Sequence, residues 1–327
     1  MNKLTERIFK IHSEEDFQKS ALEIFEYQYN NNKVYHKWCD LLNKNTGNVK
    51  KTEDIPFLPI RFFKTHEVVS FTQKPIHFFK SSGTTMSQPS RHFIKDFGIY
   101  EESSRRSFQQ FFGKVEDYCF LALLPNYQQQ GNSSLVYMIN HFINRSLYSQ
   151  SGFYSYDLDE IRNLIMECEH KTIPTILFGV TYALLDLIEK YSFELKHTTV
   201  FETGGMKGRR KEMPKSELHS ILAEGFGIKS IASEYGMCEL FSQAYSKSDG
   251  IFYTPNQMKV VITETEDPFT FCKCGKTGVI NVIDLANINT CSFIATEDLG
   301  RSTKDGGFEI MGRVDNSDIR GCNLMYE

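Results

Sequence analysis

Thr175-Ile176-Leu177-Phe178-Gly179, followed by an amphipathic stretch from about Thr181 to Tyr191, decides the fold. The first five residues are apolar or β-branched without a break and stop at a glycine, as a strand buried on both faces does. The stretch after it reads as a helix. Upstream, Tyr118-Cys119-Phe120-Leu121-Ala122-Leu123-Leu124 is a second buried run, ending at Pro125. Downstream, Thr198-Thr199-Val200-Phe201 and Lys229-Ser230-Ile231-Ala232 repeat the pattern, each running into a turn that contains glycine. Strand, turn, helix, strand is the signature of an α/β protein whose ligand sites lie at strand C-termini. The C-terminal third reads differently: Lys259–Ile262, Gly278–Ile283 and Phe308–Ile310 are strand segments with no helix between them. At the other end, Ser13 before Glu14-Glu15-Asp16 predicts a capped helix start, and Phe17, Leu22, Ile24, Phe25 and Tyr29 give that helix an apolar stripe. Asp54-Ile55-Pro56-Phe57-Leu58-Pro59 breaks any helix. The expected organisation is a helical N-terminal segment over 1–75 packed on the main domain, an α/β nucleotide-binding core over 76–245, and a β-rich subdomain over 246–327.

Composition narrows the function classes. The chain has 327 residues, 37 Lys and Arg against 41 Asp and Glu, and a net charge of -4, with 40% hydrophobic and 24% charged residues. Disorder, collagen-like repeats and coiled coils are excluded. The mild acidity gives no broad cationic field for nucleic acid. No run of apolar residues is long enough for a membrane span, and the first residues lack the apolar stretch of a signal peptide. Eight cysteines in a chain this long read as reduced thiols, and the expected location is the cytoplasm.

One loop carries chemistry. Phe79-Lys80-Ser81-Ser82-Gly83-Thr84-Thr85-Met86-Ser87-Gln88-Pro89-Ser90-Arg91-His92 gathers hydroxyl side chains around a glycine. Hydroxyl and backbone N–H donors together suit a polyphosphate, whose oxygens only accept. The Walker spacing is absent. In isolation the stretch reads equally well as a Ser/Thr-rich turn.

Ser81-Ser82-Gly83-Thr84-Thr85 resembles the phosphate loop of the adenylate-forming superfamily, which includes acyl-CoA synthetases and luciferases. Three later segments follow in that superfamily's order. Ser233-Glu234-Tyr235-Gly236-Met237-Cys238-Glu239 resembles its Tyr-Gly-x-Thr-Glu segment, and Thr296-Glu297-Asp298-Leu299-Gly300 resembles the ribose-binding segment. Gly312-Arg313-Val314-Asp315, with Arg313 fifteen residues after Asp298, resembles the Gly-Arg-x-Asp hinge. With Glu202-Thr203-Gly204-Gly205-Met206-Lys207 and Arg320-Gly321-Cys322, the arrangement is similar to the LuxE-type acyl-protein synthetases, long-chain fatty-acid–protein ligases, over most of the chain. The implied fold is the large N-terminal-type domain of the superfamily, mixed sheets with flanking helices plus a C-terminal β-rich subdomain. The lid domain with its lysine is expected to be absent or vestigial, since only twelve residues follow Asp315.

The resemblance implies ATP-dependent activation of a carboxylic acid, fatty by family, as acyl-AMP with release of pyrophosphate, then acyl transfer to a thiol. Ser81, Ser82, Gly83, Thr84 and Thr85 would wrap the phosphates, and Glu239 would hold Mg²⁺. Gly204 and Gly205 would lie against adenine, with Tyr235 and Gly236 beside the nucleotide. Asp298 would accept from the ribose hydroxyls and Arg313 would grip the ribose or α-phosphate region. Lys207 and Arg91 would supply cations. Cys322 is the implied acyl acceptor, passing its load to a reductase or carrier protein; Arg320 beside it would favour the thiolate. Acyl transfer to coenzyme A is the rival, and a degenerate subunit that only binds nucleotide or partners is the third reading.

Plainer readings stand beside each residue. Glu239 is equally placed as the carboxylate of a helix N-terminus, Asp298 to Gly300 as a tight turn, Arg313 as a surface ion-pair residue, and Lys207, Arg209, Arg210 and Lys211 as a solvated charged face. Cys322 reads equally as a small buried residue. The loop departs from the superfamily pattern at Met86 and carries Arg91 near its lysine position, and Cys238 replaces the threonine before Glu239. Cys272-Lys273-Cys274, with Cys291, offers three sulfurs but lacks a second pair, so a β-turn is preferred to structural zinc. Leu135 to Ile139 reads either as the wall of an acyl tunnel or as an ordinary core-facing helix.

Overall fold

Three helices lead the chain, α1 (Lys3–Ile8), α2 (Glu14–Asn31) and α3 (Lys33–Leu41), in a computed structural model that describes residues 3–81, 88–124, 131–154, 157–204 and 213–314. Ser13 caps α2 as its sequence predicts, its hydroxyl accepting from the Asp16 N–H at 3.1 Å. Asn32 ends α2 and starts α3, its side-chain oxygen accepting from the N–H groups of Val34 and Tyr35. A cap of this kind is worth about 1 kcal/mol. After the proline break come a short strand β1 (Leu58–Pro59), a turn of helix α4 (Phe62–Thr65) and the hairpin of β2 (His77–Lys80) with β3 (Arg91–Ile94). Helix α5 (Phe97–Phe112) follows, capped by Asp96 and stopped at Gly113, whose φ of 98° no side chain would favour.

From there the chain alternates as expected: β4 (Cys119–Leu123), α6 (Ser134–Arg145), β5 (Gly152–Phe153), α7 (Leu158–His170), β6 (Thr175–Gly179), α8 (Thr181–Lys190), β7 (Thr198–Glu202), α9 (Lys215–Phe226) and β8 (Ala232–Tyr235). These strands lie parallel in the order β5-β4-β6-β7-β8, and β9 (Ala244–Ser246) closes the edge antiparallel to β8. β4 and β6 are buried along their whole length, which is why both read as unbroken apolar runs. The strand expected at Lys229–Ala232 begins only at Ala232. β7 offers it partners only at Phe201 and Glu202, so Lys229 to Ile231 have no neighbour to pair with.

The remaining strands, β10 (Ile251–Phe252), β11 (Met258–Thr263), β12 (Gly278–Asp284), β13 (Phe293–Ser302) and β14 (Phe308–Arg313), form a second sheet in the order β10-β14-β13-β12-β11. β1 adds to it, parallel to β13 at Leu58 and Ile294. The N-terminal segment is thus built into the β-rich sheet. Gln28 of α2, fully buried, donates to the carbonyls of Asn287 and Ile288 and accepts from the Ser292 N–H.

A bulge at Leu299/Gly300 lets β14 cross close over β13. A Cβ on Gly300 would sit 2.5 Å from the Glu309 carbonyl oxygen and 2.7 Å from Ile280 Cδ1. Gly300→Ala is therefore expected to cost about 1–3 kcal/mol, the usual penalty for overpacking, measured by urea unfolding. An unchanged midpoint would show that the two strands separate freely.

Candidate nucleotide site at the strand C-termini

The parallel strands end at one edge of their sheet, and four of the residues singled out by motif, Tyr235, Glu239, Asp298 and Arg313, come together there. β8 delivers Tyr235 and the turn after it delivers Glu239. β13 and β14, from the other sheet, deliver Asp298 and Arg313 as directly paired neighbours. Asp298, 8% exposed, accepts from the Tyr235 hydroxyl at 3.0 Å and from Arg313 Nε at 3.0 Å. Asp298 lies inside β13 and not in a tight turn. Arg313 is paired yet keeps much of its guanidinium exposed, so it retains donors for an anionic guest. Burial pushes the Tyr235 phenol well above its usual range, so it stays a donor.

Glu239 is 4% exposed. No helix follows it, which removes the helix N-terminus reading. Burial raises its carboxyl above the usual range, while the Ser90 and Cys238 side chains and the more distant Arg313 charge pull the other way. Its backbone is clamped from three directions. Asn287 Nδ2 donates to the Glu239 carbonyl at 2.7 Å. His92 Nδ1 donates to the Cys238 carbonyl at 2.7 Å. Asp284, fully buried, accepts from the N–H groups of Phe241 and Ser242 at 2.7 and 2.8 Å. Cys238 is buried, with its thiol pushed well up, first by burial and then by the Glu239 charge; it is no nucleophile.

His92 shows how the β2–β3 hairpin meets this turn. A carbonyl only accepts, so Nδ1 carries the proton and Nε2 accepts from the Thr290 hydroxyl at 2.8 Å. Burial lowers the imidazole to about 4, so it is neutral at pH 7. The unfolded chain takes up this proton below about 6.5 and the folded chain only near 4, so stability falls as pH drops through that window. The loss amounts to roughly 3 kcal/mol. His92→Gln should flatten that part of the stability–pH curve; a slope equal to wild type would sink this account.

The neck of the hairpin is fixed by Ser81 and Ser90: the Ser81 N–H donates to the Ser90 carbonyl at 3.2 Å and the Ser90 N–H to the Ser81 hydroxyl at 2.9 Å. Ser90 thus ties the neck of this hairpin to Glu239. Arg91 lies partly buried over the Phe93 ring, 5.6 Å from its centroid.

On the neighbouring strand, Gly204 follows β7 with φ at 79°. Its N–H donates at 2.6 Å to Glu202, and Thr181 donates to the same carboxylate oxygen at 2.5 Å. Burial pushes the Glu202 carboxyl up, but His219, Lys215, Thr181 and the Gly204 N–H outweigh it and hold the carboxyl below its usual range. Gly236 follows Tyr235 in the turn toward Glu239.

Ser82, Gly83, Thr84, Thr85, Gly205, Lys207 and Cys322 lie outside the described residues, as do Tyr127 and Arg209 to Lys211. Among the described residues, no group of three or more His, Cys, Asp or Glu is arranged to hold a metal. Cys274 is exposed on the turn before β12, whereas Cys291 is buried, its thiol on the Phe293 carbonyl. Helix α6 packs Met138, Ile139 and Phe142 into the core and stacks Tyr137 on Phe97 at 4.4 Å.

Asp284 and Asn287 lie in none of the motif segments, and His92 and Glu202 lie within quoted segments but were assigned no role there. The contacts by which His92, Asp284 and Asn287 hold the Cys238–Ser242 turn and Thr290 span 42 to 198 positions of chain.

Solved structures of adenylate-forming ligases share this fold. A 2-hydroxyisobutyryl-CoA ligase in the postadenylation state with 2-HIB-AMP matches with a TM-score of 0.69 and 13% identity, over 95% of this chain and 71% of that one. Its open conformation with 2-HIB-AMP and CoA gives 0.67 and 14%, over 95% and 78%. ATP-bound MatB from Rhodopseudomonas palustris gives 0.56 and 17%, over 75% of this chain and 50% of that one. This chain thus spans half the length of the MatB structure it matches. No curated protein matches the sequence. The family model "Acyl-protein synthetase, LuxE" matches residues 8–327, and the chain belongs to that family.

Proposed function

We propose that the protein activates a carboxylic acid with ATP, forming acyl-AMP and pyrophosphate, and then hands the acyl group to a thiol. The observation that carries this reading is the Tyr235–Asp298–Arg313 cluster with Glu239 on the adjoining turn. The acid's carboxylate oxygen attacks the α-phosphorus, and the bond to the β-phosphate oxygen breaks as pyrophosphate leaves. Bringing one anion to another is the main barrier, and preorganised donors and cations lower it. Asp298 accepts from the ribose hydroxyls, while Arg313 keeps free N–H donors for the α-phosphate. Ser81, with Ser82 to Thr85, supplies hydroxyl and N–H donors to the outer phosphates. Gly204 and Gly205 leave the face of adenine free of a Cβ. Lys207 and Arg91 add cations.

A magnesium ion fits the donor set at Glu239. The carboxylate is nearly buried and, among the described residues, no Lys or Arg pairs with it at contact distance. One carboxylate plus substrate phosphates is the usual protein share of a Mg²⁺ site. When bound, the ion offsets charge on the triphosphate.

The thiol acceptor in this reading is Cys322, whose sulfur attacks the acyl carbon as AMP leaves; a fatty acyl group and a reductase or carrier partner follow from the family. Pyrophosphate exchange over a panel of carboxylic acids tests the first half-reaction. Mass spectrometry after ATP and a competent acid is expected to show one acyl adduct, absent in Cys322→Ala. An adduct-free wild type that instead releases acyl-CoA when coenzyme A is added would turn the reading to a CoA ligase. Exchange with no acid would leave a nucleotide-binding subunit.

A further inference from the structure

The parallel strands begin at the edge opposite the nucleotide site, and there β7 and β8 part. β8 pairs with β7 only at Phe201 and Glu202, so Thr198 and Thr199 have no β8 neighbour. A cleft of about 600 Å³ opens beside them, lined by these two threonines together with residues 227–230. That volume lies in the range of small-molecule sites, roughly 300–1,000 Å³. Gly227 shapes the gap. It ends α9 with φ at 65°, and a Cβ there would stand 2.6 Å from the Phe193 carbonyl oxygen.

The lining is apolar and cationic at once. Phe111 and Phe112 come from the end of α5 and Tyr118 from the approach to β4, all half-buried. Tyr118 spends its hydroxyl on the Phe112 carbonyl, which leaves its ring as its contribution to the wall. Three lysines on three separate segments stand around these rings: Lys196 before β7, Lys229 before β8 and Lys247 after β9. All three are exposed, and Lys247 lies over the Phe112 ring, 5.5 Å from its centroid. Among the described residues, the lysines held in ion pairs are Lys171, Lys190, Lys259 and Lys276, none of them here. No Asp or Glu lines the cleft, although Asp117, Glu194 and Asp249 are near in sequence. Glu169, behind the rim, is spent on the N–H groups of Lys196 and His197 and on the Thr198 hydroxyl.

The plainest account of the lysines is that they complement helix C-termini. α5 and α9 both end at the cleft, and each end carries about half a negative charge. Two such ends offset about one of the three ammonium charges, so roughly two remain within the lining. We propose that this cleft binds a phosphate monoester carried on an apolar, ring-bearing body, at a site apart from the nucleotide site. The ester carries a charge of about −1.5 to −2 at pH 7, which matches that surplus. Its terminal oxygens accept from ammonium groups, and its apolar body covers the phenyl rings. A carboxylate meets only one of the two charges, and inorganic phosphate leaves the rings in water.

Equilibrium dialysis of the full chain against 1-naphthyl phosphate, 1-naphthoic acid, 1-naphthol and inorganic phosphate tests the proposal. One equivalent of the ester is expected to bind, at least about tenfold more tightly than each of the other three, and less tightly as salt rises. Lys229→Gln and Lys247→Gln should each weaken it by about tenfold. Their thermal midpoints should match wild type, because both side chains are exposed. Arg313→Ala should leave the ester bound, which separates the cleft from the nucleotide site. No binding of the ester, or equal binding of naphthol or of inorganic phosphate, would overturn the proposal. So would binding that Arg313→Ala abolishes and the lysine variants leave intact. The measurement contains no adenylation step, so its outcome is independent of that activity.

Discussion

With Glu239 replaced by glutamine, pyrophosphate exchange is expected to fall by about 10²- to 10³-fold while the fold persists. The magnitude is that of removing one preorganised electrostatic group from a reaction site. The persistence follows from the environment: Glu239 is nearly buried and its carboxyl is held above the usual range chiefly by that burial. An uncharged amide of the same shape relieves that desolvation. The backbone clamps from Asn287, His92 and Asp284 do not involve the side chain. Thermal unfolding should therefore show an unchanged or higher midpoint beside the lost exchange. If exchange drops less than tenfold, Glu239 does not serve the triphosphate; if activity and midpoint fall together, the side chain is structural.

Asp284→Ala is expected to have the largest effect on stability, a loss of about 3–5 kcal/mol, the range for breaking a buried charged hydrogen-bond cluster. Its carboxylate accepts from the Phe241 and Ser242 N–H groups, the Ser242 hydroxyl at 2.7 Å and the Ala286 N–H at 3.1 Å, with no exposed surface. Each donor left unpaired costs about 1–3 kcal/mol, less where water enters the space. The same residue starts the turn after β12, capping it through Ala286. Loss of the cluster should loosen the segment that carries Glu239, so hydrogen exchange of the Phe241 and Ser242 amides should quicken before global unfolding. Urea titration checks the magnitude. A change below 1 kcal/mol would mean that these donors find other partners.

The two sheets were unequally legible. β4, β6 and β7 are flanked by parallel neighbours and covered by helices, so burial on both faces wrote them into the sequence as apolar runs. β8 was misplaced because its pairing with β7 covers only Phe201 and Glu202, and pairing leaves no local mark. The Ser13 cap was legible because its hydrogen bond spans three residues. The joining of β1 to β13, and of Gln28 to the Asn287–Ser292 segment, was not, because each bridges more than two hundred positions.

By itself, the sequence determined the α/β alternation, the β-rich C-terminal third and the identity of Asp298, Arg313, Tyr235 and Glu239 as the residues to watch. Those are properties of period and of short motifs, and both are local. Only the tertiary structure decided that Asp298 lies within a strand, bridging Tyr235 and Arg313, and that Glu239 stands on a turn held by His92, Asp284 and Asn287. It alone parted β7 from β8 and set Lys196, Lys229 and Lys247 around the cleft between them. Those arrangements depend on which strand ends meet. Chain distance carries no information about that until burial and pairing have brought the two sheets together.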